Sequence, residues 1–298
     1  MDKEELDSYI KAGKIVSESL RYGKNLIKPG ASYVDVCDKV EEKIKALGGG
    51  IAFPAQISIN NIAAHFCPLQ DDTSVFKEGE LVKLDIGVHI DGYIADTAIS
   101  VNLGNHDNLI RASQEALQHA LKMIEVGVAL GEIGKTIQET ISSYGFSPIK
   151  NLSGHGLGRF EVHTVPTIPN FDTGDETALE DDMVFAVEPF ATTGQGMIFE
   201  SSNPTVFSFS QKKPIRSQFA RDLLRDIETY QGLPFTTRWL SRKHGIGKTN
   251  FGLRELSQAE IITEYPPLPE RAGGIVSQAE HSVILHKGKK IVFTKQEE

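Results

Sequence analysis

The stretch LDIGVHIDGYIADTAI, residues 84–99, decides the fold because it predicts a β-hairpin with two aspartates inside it. Asp91-Gly92 is a strong signal for a two-residue turn, and apolar residues alternate on either side of it. Side chains two residues apart on a strand share a face. With this turn, Asp85 and Asp96 are expected on one face as diagonal cross-strand neighbours.

Two carboxylates in an apolar strand pair need a compensating partner. Burying a carboxylate costs several kcal/mol unless a cation or hydrogen-bond donors compensate it. Diagonal neighbours lie about 7–8 Å apart at the backbone, so their carboxylates can share ions spaced about 3.5–4 Å apart. The pair therefore favours a metal site. A solvent-facing hairpin is the alternative, and a β-bulge would break the parity of the argument.

Composition bounds the class of protein. The 298 residues are 40% hydrophobic, enough for one large domain or two small ones, and the net charge of −9 argues against a nucleic-acid-binding body. Cys37 and Cys67 lie in no CxxC or disulfide pattern, so we expect buried thiols and a cytoplasmic location. No run of about 18 apolar residues predicts a membrane span, and the charged N-terminus has no signal-peptide core.

A duplication organises the first half of the chain. Helical spacing predicts helices over 3–25 and 32–47, and again over 106–126 and 130–144. A shift of 97 residues superimposes Gly30 on Gly127 and aligns the apolar stripes of the second and fourth helices. The chain therefore predicts two similar halves.

Strand-like sequence follows each helical pair. The segments are 81–102, 147–168, 183–190 and 274–294, and the last contains a hairpin turn at KGKK. We expect the strands of both halves to form one shared sheet, with helices on one face and a site on the other. The predicted fold class is α/β (α+β).

A basic segment interrupts this pattern. Residues 211–254 carry ten Lys or Arg against three acidic residues, with helical stretches at 215–231, 235–243 and 250–262. We predict an inserted helical subdomain, 209–265, within a single catalytic domain, 1–298. A solvated surface is the simpler interpretation, and docking on ribosomal RNA or another polyanion is the alternative.

Further polar residues stand in strand-like apolar sequence. His155 and His163 are eight residues apart and share a face if the segment is extended, Glu188 ends the run MVFAVE, and Glu280 lies in GIVSQAEHSVIL. Four carboxylates with a histidine suit Mn, Fe, Co or Zn. Paired metals supply a hydroxide nucleophile and stabilise a tetrahedral oxyanion, so the inferred reaction is amide or ester hydrolysis.

In their order along the chain, these residues resemble the ligand set of type II methionine aminopeptidases of the archaeal kind. The resemblance covers essentially the whole chain and implies the pita-bread fold, with internal pseudo-twofold symmetry. Glu188 and Glu280 are 92 residues apart, and the segment between them holds the helical insertion that separates type II from type I. It implies two divalent metal ions (Co, Mn, Fe or Zn) with the ligands Asp85, Asp96, His155, Glu188 and Glu280.

The resemblance also implies the activity, which is removal of the initiator methionine from nascent polypeptide N-termini by a monomeric enzyme. His65 would contact the substrate near the scissile bond, and His163 would orient the peptide and stabilise the oxyanion. Glu188 would be a ligand that also shuttles the proton. The methionine side chain would lie against Phe53, Val162 and Tyr265.

Two other functions stay open on the sequence. An Xaa-Pro peptidase shares the fold and the five ligands, but usually has an additional N-terminal domain and lacks the insertion. A non-catalytic, peptidase-like protein would bind RNA or protein partners and would typically have lost metal ligands. One departure from the family is Ala279, where many relatives have an aromatic residue just before the last glutamate.

Overall fold

The computed structural model describes residues 1–295. The first four helices lie close to their predicted positions, and three more follow in the basic segment. Their bounds are α1 (Lys3–Leu26), α2 (Tyr33–Ala46), α3 (Asp107–Met123), α4 (Leu130–Ser143), α5 (Gln218–Ile227), α6 (Thr237–His244) and α7 (Ile246–Gln258). No helix of the described chain is long and apolar enough to cross a bilayer.

The helices follow the predicted duplication. α2 and α4 are each 14 residues long and start 97 residues apart, which is the shift read from the sequence. Gly30 and Gly127 both have a positive φ, 86° and 93°, which favours glycine. Ser32 caps α2 by accepting a hydrogen bond from the backbone N–H of Asp35. Equivalent turns therefore lead into equivalent helices.

The opening stretch forms the predicted hairpin. Strands β2 (Leu81–Ile90) and β3 (Tyr93–Asn102) pair antiparallel without a bulge. The turn residues Asp91 and Gly92 have φ of 50° and 91°. Asp85 lies opposite Ala98, as predicted. A strand absent from the prediction, β1 (Gly50–Ile59), completes this sheet in the order β1-β2-β3.

The second half builds two further sheets. Their strands are β4 (Ser147–Pro148), β5 (Ser153–Gly158), β6 (Glu161–Pro169), β7 (Val184–Val187), β8 (Phe190–Thr192), β12 (Val276–Gln278), β13 (His281–His286) and β14 (Lys289–Val292). The five-stranded sheet has the order β14-β13-β7-β5-β6, and the three-stranded sheet has the order β12-β8-β4.

The expectation of one shared sheet is wrong. The regular strand conformation is interrupted at Glu188–Pro189, between β7 and β8, and at Ala279–Glu280, between β12 and β13. Because Pro189 cannot donate a hydrogen bond to a neighbouring strand, β7 and β8 pair with different strands. An isolated bridge between Ile99 and Ala279 still joins the two halves.

The basic segment contains strands as well as helices. Strands β9 (Val206–Phe209), β10 (Phe235–Thr236) and β11 (Ile262–Tyr265) form a sheet in the order β10-β9-β11. The predicted helix at 235–243 thus starts in a strand, and that at 250–262 ends at the start of another. The sheet and α5–α7 share a core that includes Phe207, Leu223 and Phe235. The boundary 209–265 stays a prediction.

Two larger cores hold the halves together. Helices α1 and α2 pack on β1–β3 through residues such as Val16, Val40 and Leu84. Helices α3 and α4 pack on the second half through residues such as Ile137 and Phe185. Cys37 and Cys67 are both buried free thiols, as expected. The opposite faces of the sheets are left to line a cavity.

Candidate metal centre and substrate cavity

One cavity of about 350 Å³ lies where the two halves meet. Every site residue named from the sequence lines it. These residues are Phe53, His65, Asp85, Asp96, His155, Val162, His163, Glu188, Tyr265 and Glu280. The structure therefore brings together residues that lie more than 200 positions apart in the chain.

The strands position the five predicted ligands from both halves. The first hairpin carries Asp85 and Asp96, and β5 carries His155. Glu188 follows directly after β7, and Glu280 directly precedes β13. Both glutamates lie where the regular strand pairing is interrupted. Their side chains line the same cavity as the two aspartates of the hairpin.

The ligand atoms converge closely. Asp96, His155 and Glu280 each offer an atom within 4.8 Å of the others. His155 Nε2 lies 3.7 Å from Asp96 Oδ2 and 3.7 Å from Glu188 Oε1. Asp85 and Glu188 both lie close to the side-chain amide of Gln278.

Sequence reasoning missed Gln278. Its Nε2 lies 3.5 Å from Asp85 Oδ2 and 3.4 Å from Glu188 Oε2, and the side chain is buried. The one available signal was an amide two residues before Glu280, on the same strand-like run. Gln278 spaces two carboxylates that would otherwise repel each other.

The electrostatics of the cluster are unfavourable without a cation. Burial raises the pKa of Asp85 to about 7. Burial and the neighbouring carboxylates raise the pKa values of Asp96, Glu188 and Glu280 well above the usual range. Burial, helped by His163, lowers the pKa of His155 to about 3. The histidine is therefore neutral, the form in which imidazole binds a metal.

The residues fit a divalent metal centre. Within residues 1–295, no Lys or Arg forms an ion pair with these four carboxylates. Buried oxygens of three of them have no hydrogen-bond partner, namely Asp85 Oδ1, Asp96 Oδ1 and Glu280 Oε2. Carboxylate oxygens with one imidazole nitrogen form a hard donor set. Divalent cations would satisfy both the charge and the orphaned oxygens.

Two more histidines border the cluster. His65 adopts a positive φ of 66°, and its backbone N–H donates to Gln56 Oε1 at 2.8 Å. Burial lowers the pKa of His65 to about 4, and its buried Nδ1 has no partner in the described chain. His163 packs edge-on against His155, with ring centres 4.4 Å apart. Both imidazoles are available to a bound molecule.

The apolar end of the cavity contains Phe53 and Val162, both buried. Gly87 on β2 faces the ring of Phe53, and a Cβ at that position would lie 2.2 Å from Phe53 Cε1. Any larger residue at this position would displace the ring of Phe53. Tyr265, at the end of β11, is held by a hydrogen bond of 3.1 Å between its hydroxyl and Ser208 Oγ.

Comparison with known proteins identifies the family of this chain. Residues 7–210 match metallopeptidase family M24. A methionine aminopeptidase of Archaeoglobus fulgidus is 43% identical over 296 residues, which cover 99% of this chain and all of the relative.

Solved structures agree with the fold. The crystal structure of a methionine aminopeptidase from Thermotoga maritima superimposes with a TM-score of 0.73 at 26% identity, covering 99% of this chain and 98% of that one. A thermophilic Arx1 superimposes with a TM-score of 0.88, covering all of this chain and 92% of that one. At 16% identity, this second likeness shows the fold alone.

Proposed function

The chain belongs to metallopeptidase family M24. On that premise we propose which of its residues bind metal ions, transfer the proton and bind the substrate. It is a metal-dependent hydrolase that removes the N-terminal methionine of polypeptides. One observation carries the proposed roles, a single cavity lined by four carboxylates and three histidines. The Xaa-Pro peptidase and the non-catalytic binding protein are not favoured, because relatives matching nearly the whole chain are methionine aminopeptidases.

Two divalent ions are proposed for the cavity, as Co, Mn, Fe or Zn. The proposal is supported by three orphaned carboxylate oxygens and by the neutral His155. When bound, such ions acidify a water molecule and polarise a carbonyl group. The residues that would hold them are Asp85, Asp96, His155, Glu188 and Glu280.

Glu188 is proposed to move the proton. Its Oε1 lies 3.7 Å from His155 Nε2 and its Oε2 lies 3.4 Å from Gln278 Nε2, so both oxygens face the cavity. A carboxylate in this position accepts a proton from the attacking water and passes it to the leaving nitrogen of the scissile bond.

His65 and His163 are proposed to bind the peptide at the scissile bond. Burial lowers the pKa of both side chains, so both rings are neutral. The ring of His65 hydrogen-bonds the backbone of Pro266, so His163 is the proposed N–H donor. A donor fixed before the reaction stabilises the charge that develops on the carbonyl oxygen. The side chain of the first residue would lie against Phe53, Val162 and Tyr265, where an aromatic ring favours a thioether sulfur.

Ribosome docking by the basic segment stays a proposal with limited support. Several of its cations are already paired, including Lys212 with Glu228, Lys213 with Glu260 and Lys243 with Asp226. This pairing favours a solvated structural surface. Co-sedimentation with ribosomes at low and high salt tests the contact, because phosphate binding weakens steeply with salt. A monomeric state is likewise proposed, and light scattering tests it.

The variant Glu188→Gln tests the proposed division of roles. We expect kcat for a Met-Ala-Ser peptide to fall about 10²–10⁴-fold, because the proton carrier is lost. Glu161→Gln is the matched control, since Glu161 lies exposed on β6 of the same sheet. Metal binding measured by calorimetry is expected to saturate at two equivalents in the wild type. Full activity of Glu188→Gln would contradict the role.

A further inference from the structure

A second buried ion network lies outside the cavity, where α6 of the basic segment packs on α2. The side chain of Arg238 is fully buried, and its Nη2 donates to Glu41 Oε1 at 2.6 Å. Arg238 also contacts Asp38, and Trp239 Nε1 donates to Glu41 Oε2 at 2.8 Å. Such a buried pair costs desolvation free energy, and apolar side chains of equal volume would pack as well. Its position therefore calls for another explanation.

The network reaches an irregular part of strand β1. The pairing of β1 with β2 changes register between Ile51 and Phe53, and again between Phe53 and Gln56. Pro54 has no N–H, and Ala55 lies outside the paired register. The backbone of this bulge therefore depends on side chains for its hydrogen bonds.

Glu41 and two thiols supply those hydrogen bonds. The N–H of Ala55 donates to Glu41 Oε1 at 3.2 Å, the same oxygen that accepts from the arginine. The carbonyl of Ala55 accepts from Cys37 Sγ and Cys67 Sγ, each at 3.3 Å. The buried carboxylate thus joins the inserted segment to the bulge.

The bulge presents two side chains to the cavity. Phe53 and Gln56 flank it, and both line the cavity. Gln56 Oε1 accepts from the backbone N–H of His65 and so holds that residue in its positive-φ conformation. A bulge aims the side chains on either side of it. A shift of the Ala55 backbone would therefore move the wall of the side-chain pocket.

We propose that Arg238 is a positioning residue that sets the side-chain selectivity of the enzyme. It holds Glu41, Glu41 holds Ala55, and the bulge then places Phe53 against the substrate's first side chain. The inference rests on the proposed function, because it takes Phe53 to contact methionine. The inserted segment thereby helps to define the substrate through Arg238, which does not itself line the cavity.

The variant Glu41→Gln tests this chain of contacts. It keeps the volume of the side chain and removes the negative charge that pairs with Arg238. We expect KM for Met-Ala-Ser to rise about tenfold, with kcat changed less than about twofold. The preference in kcat/KM for Met-Ala-Ser over Leu-Ala-Ser should fall about tenfold. Arg238→Lys should change the preference in the same direction, because lysine lacks the planar fork of arginine.

Asp38→Asn is the matched control. It removes another carboxylate contact of Arg238, but the ion pairs of Asp38 are with Arg238 and Arg242 and none is with β1, so the preference should stay within about twofold of the wild type. An unchanged preference in folded Glu41→Gln would overturn the inference, since the network would then only stabilise. If that variant does not fold, Arg238→Lys decides by the same criterion. A wild type that releases no methionine would overturn the proposed function as well, which distinguishes the two failures.

Discussion

Asp96→Asn should stabilise the metal-free protein while abolishing metal binding. Asp96 is 3% exposed, its Oδ1 has no partner, and the imidazole that lies 3.7 Å from its Oδ2 is the neutral His155. The pKa of Asp85, raised from 3.8 to about 7, sets the scale of the effect. A rise of about 3 pH units corresponds to about 4 kcal/mol for ionising one carboxylate in this cavity. Water in the open cavity screens part of that cost, so we expect a gain of about 2–4 kcal/mol.

Urea unfolding at pH 8 in the presence of EDTA measures this gain. The exposed turn residue Asp91 provides a control, and Asp91→Asn should change the free energy of unfolding by less than about 0.5 kcal/mol. Mn²⁺ at about 1,000 times its Kd should reverse the order, because a ligand at that concentration adds about 4.1 kcal/mol to the wild type. The reasoning is refuted if Asp96→Asn is less stable than the wild type in EDTA.

Three further outcomes follow from the geometry. His65→Ala should lower kcat about 10²-fold with unchanged metal content, and loss of metal by atomic absorption would contradict its role. The raised pKa of Asp85 favours the folded state below its unfolded value near 4, and this contribution is lost as the pH rises to about 7. Urea unfolding of metal-free protein should therefore give a lower free energy at pH 8 than at pH 5, whereas equal values would contradict the burial argument. Gly87→Ala should displace the ring of Phe53 and raise KM for Met-Ala-Ser about tenfold, and an unchanged KM would show that the ring is not part of the pocket.

The hairpin and its aspartates were predictable because local chemistry determines them. Asp91-Gly92 defines the turn, the turn defines the register, and the register places Asp85 and Asp96 on one face. The order of the ligands along the chain then identified the fold family. Local signals did not predict β1, because Pro54 and the bulge interrupt the alternation of apolar and polar residues that indicates a strand.

Contacts between distant segments left no sign in the sequence. Arg238 and Glu41 are 197 residues apart, and neither stands in a pattern that names the other. Gln278 likewise looks like an ordinary strand residue until the fold brings Asp85 and Glu188 to it. Such partners depend on how the two halves and the inserted segment pack, which periodicity and turn chemistry do not specify.

Methionine release by metal-stripped protein tests the central claim most directly. The substrate is Met-Ala-Ser, titrated with Mn²⁺ or Co²⁺, beside a Gly-Pro peptide as the control. The cavity of four carboxylates and a histidine predicts no release without metal, activity that saturates near two equivalents, and an intact control peptide. Release of methionine in full without any added metal, or cleavage of the proline peptide alone, would contradict the account.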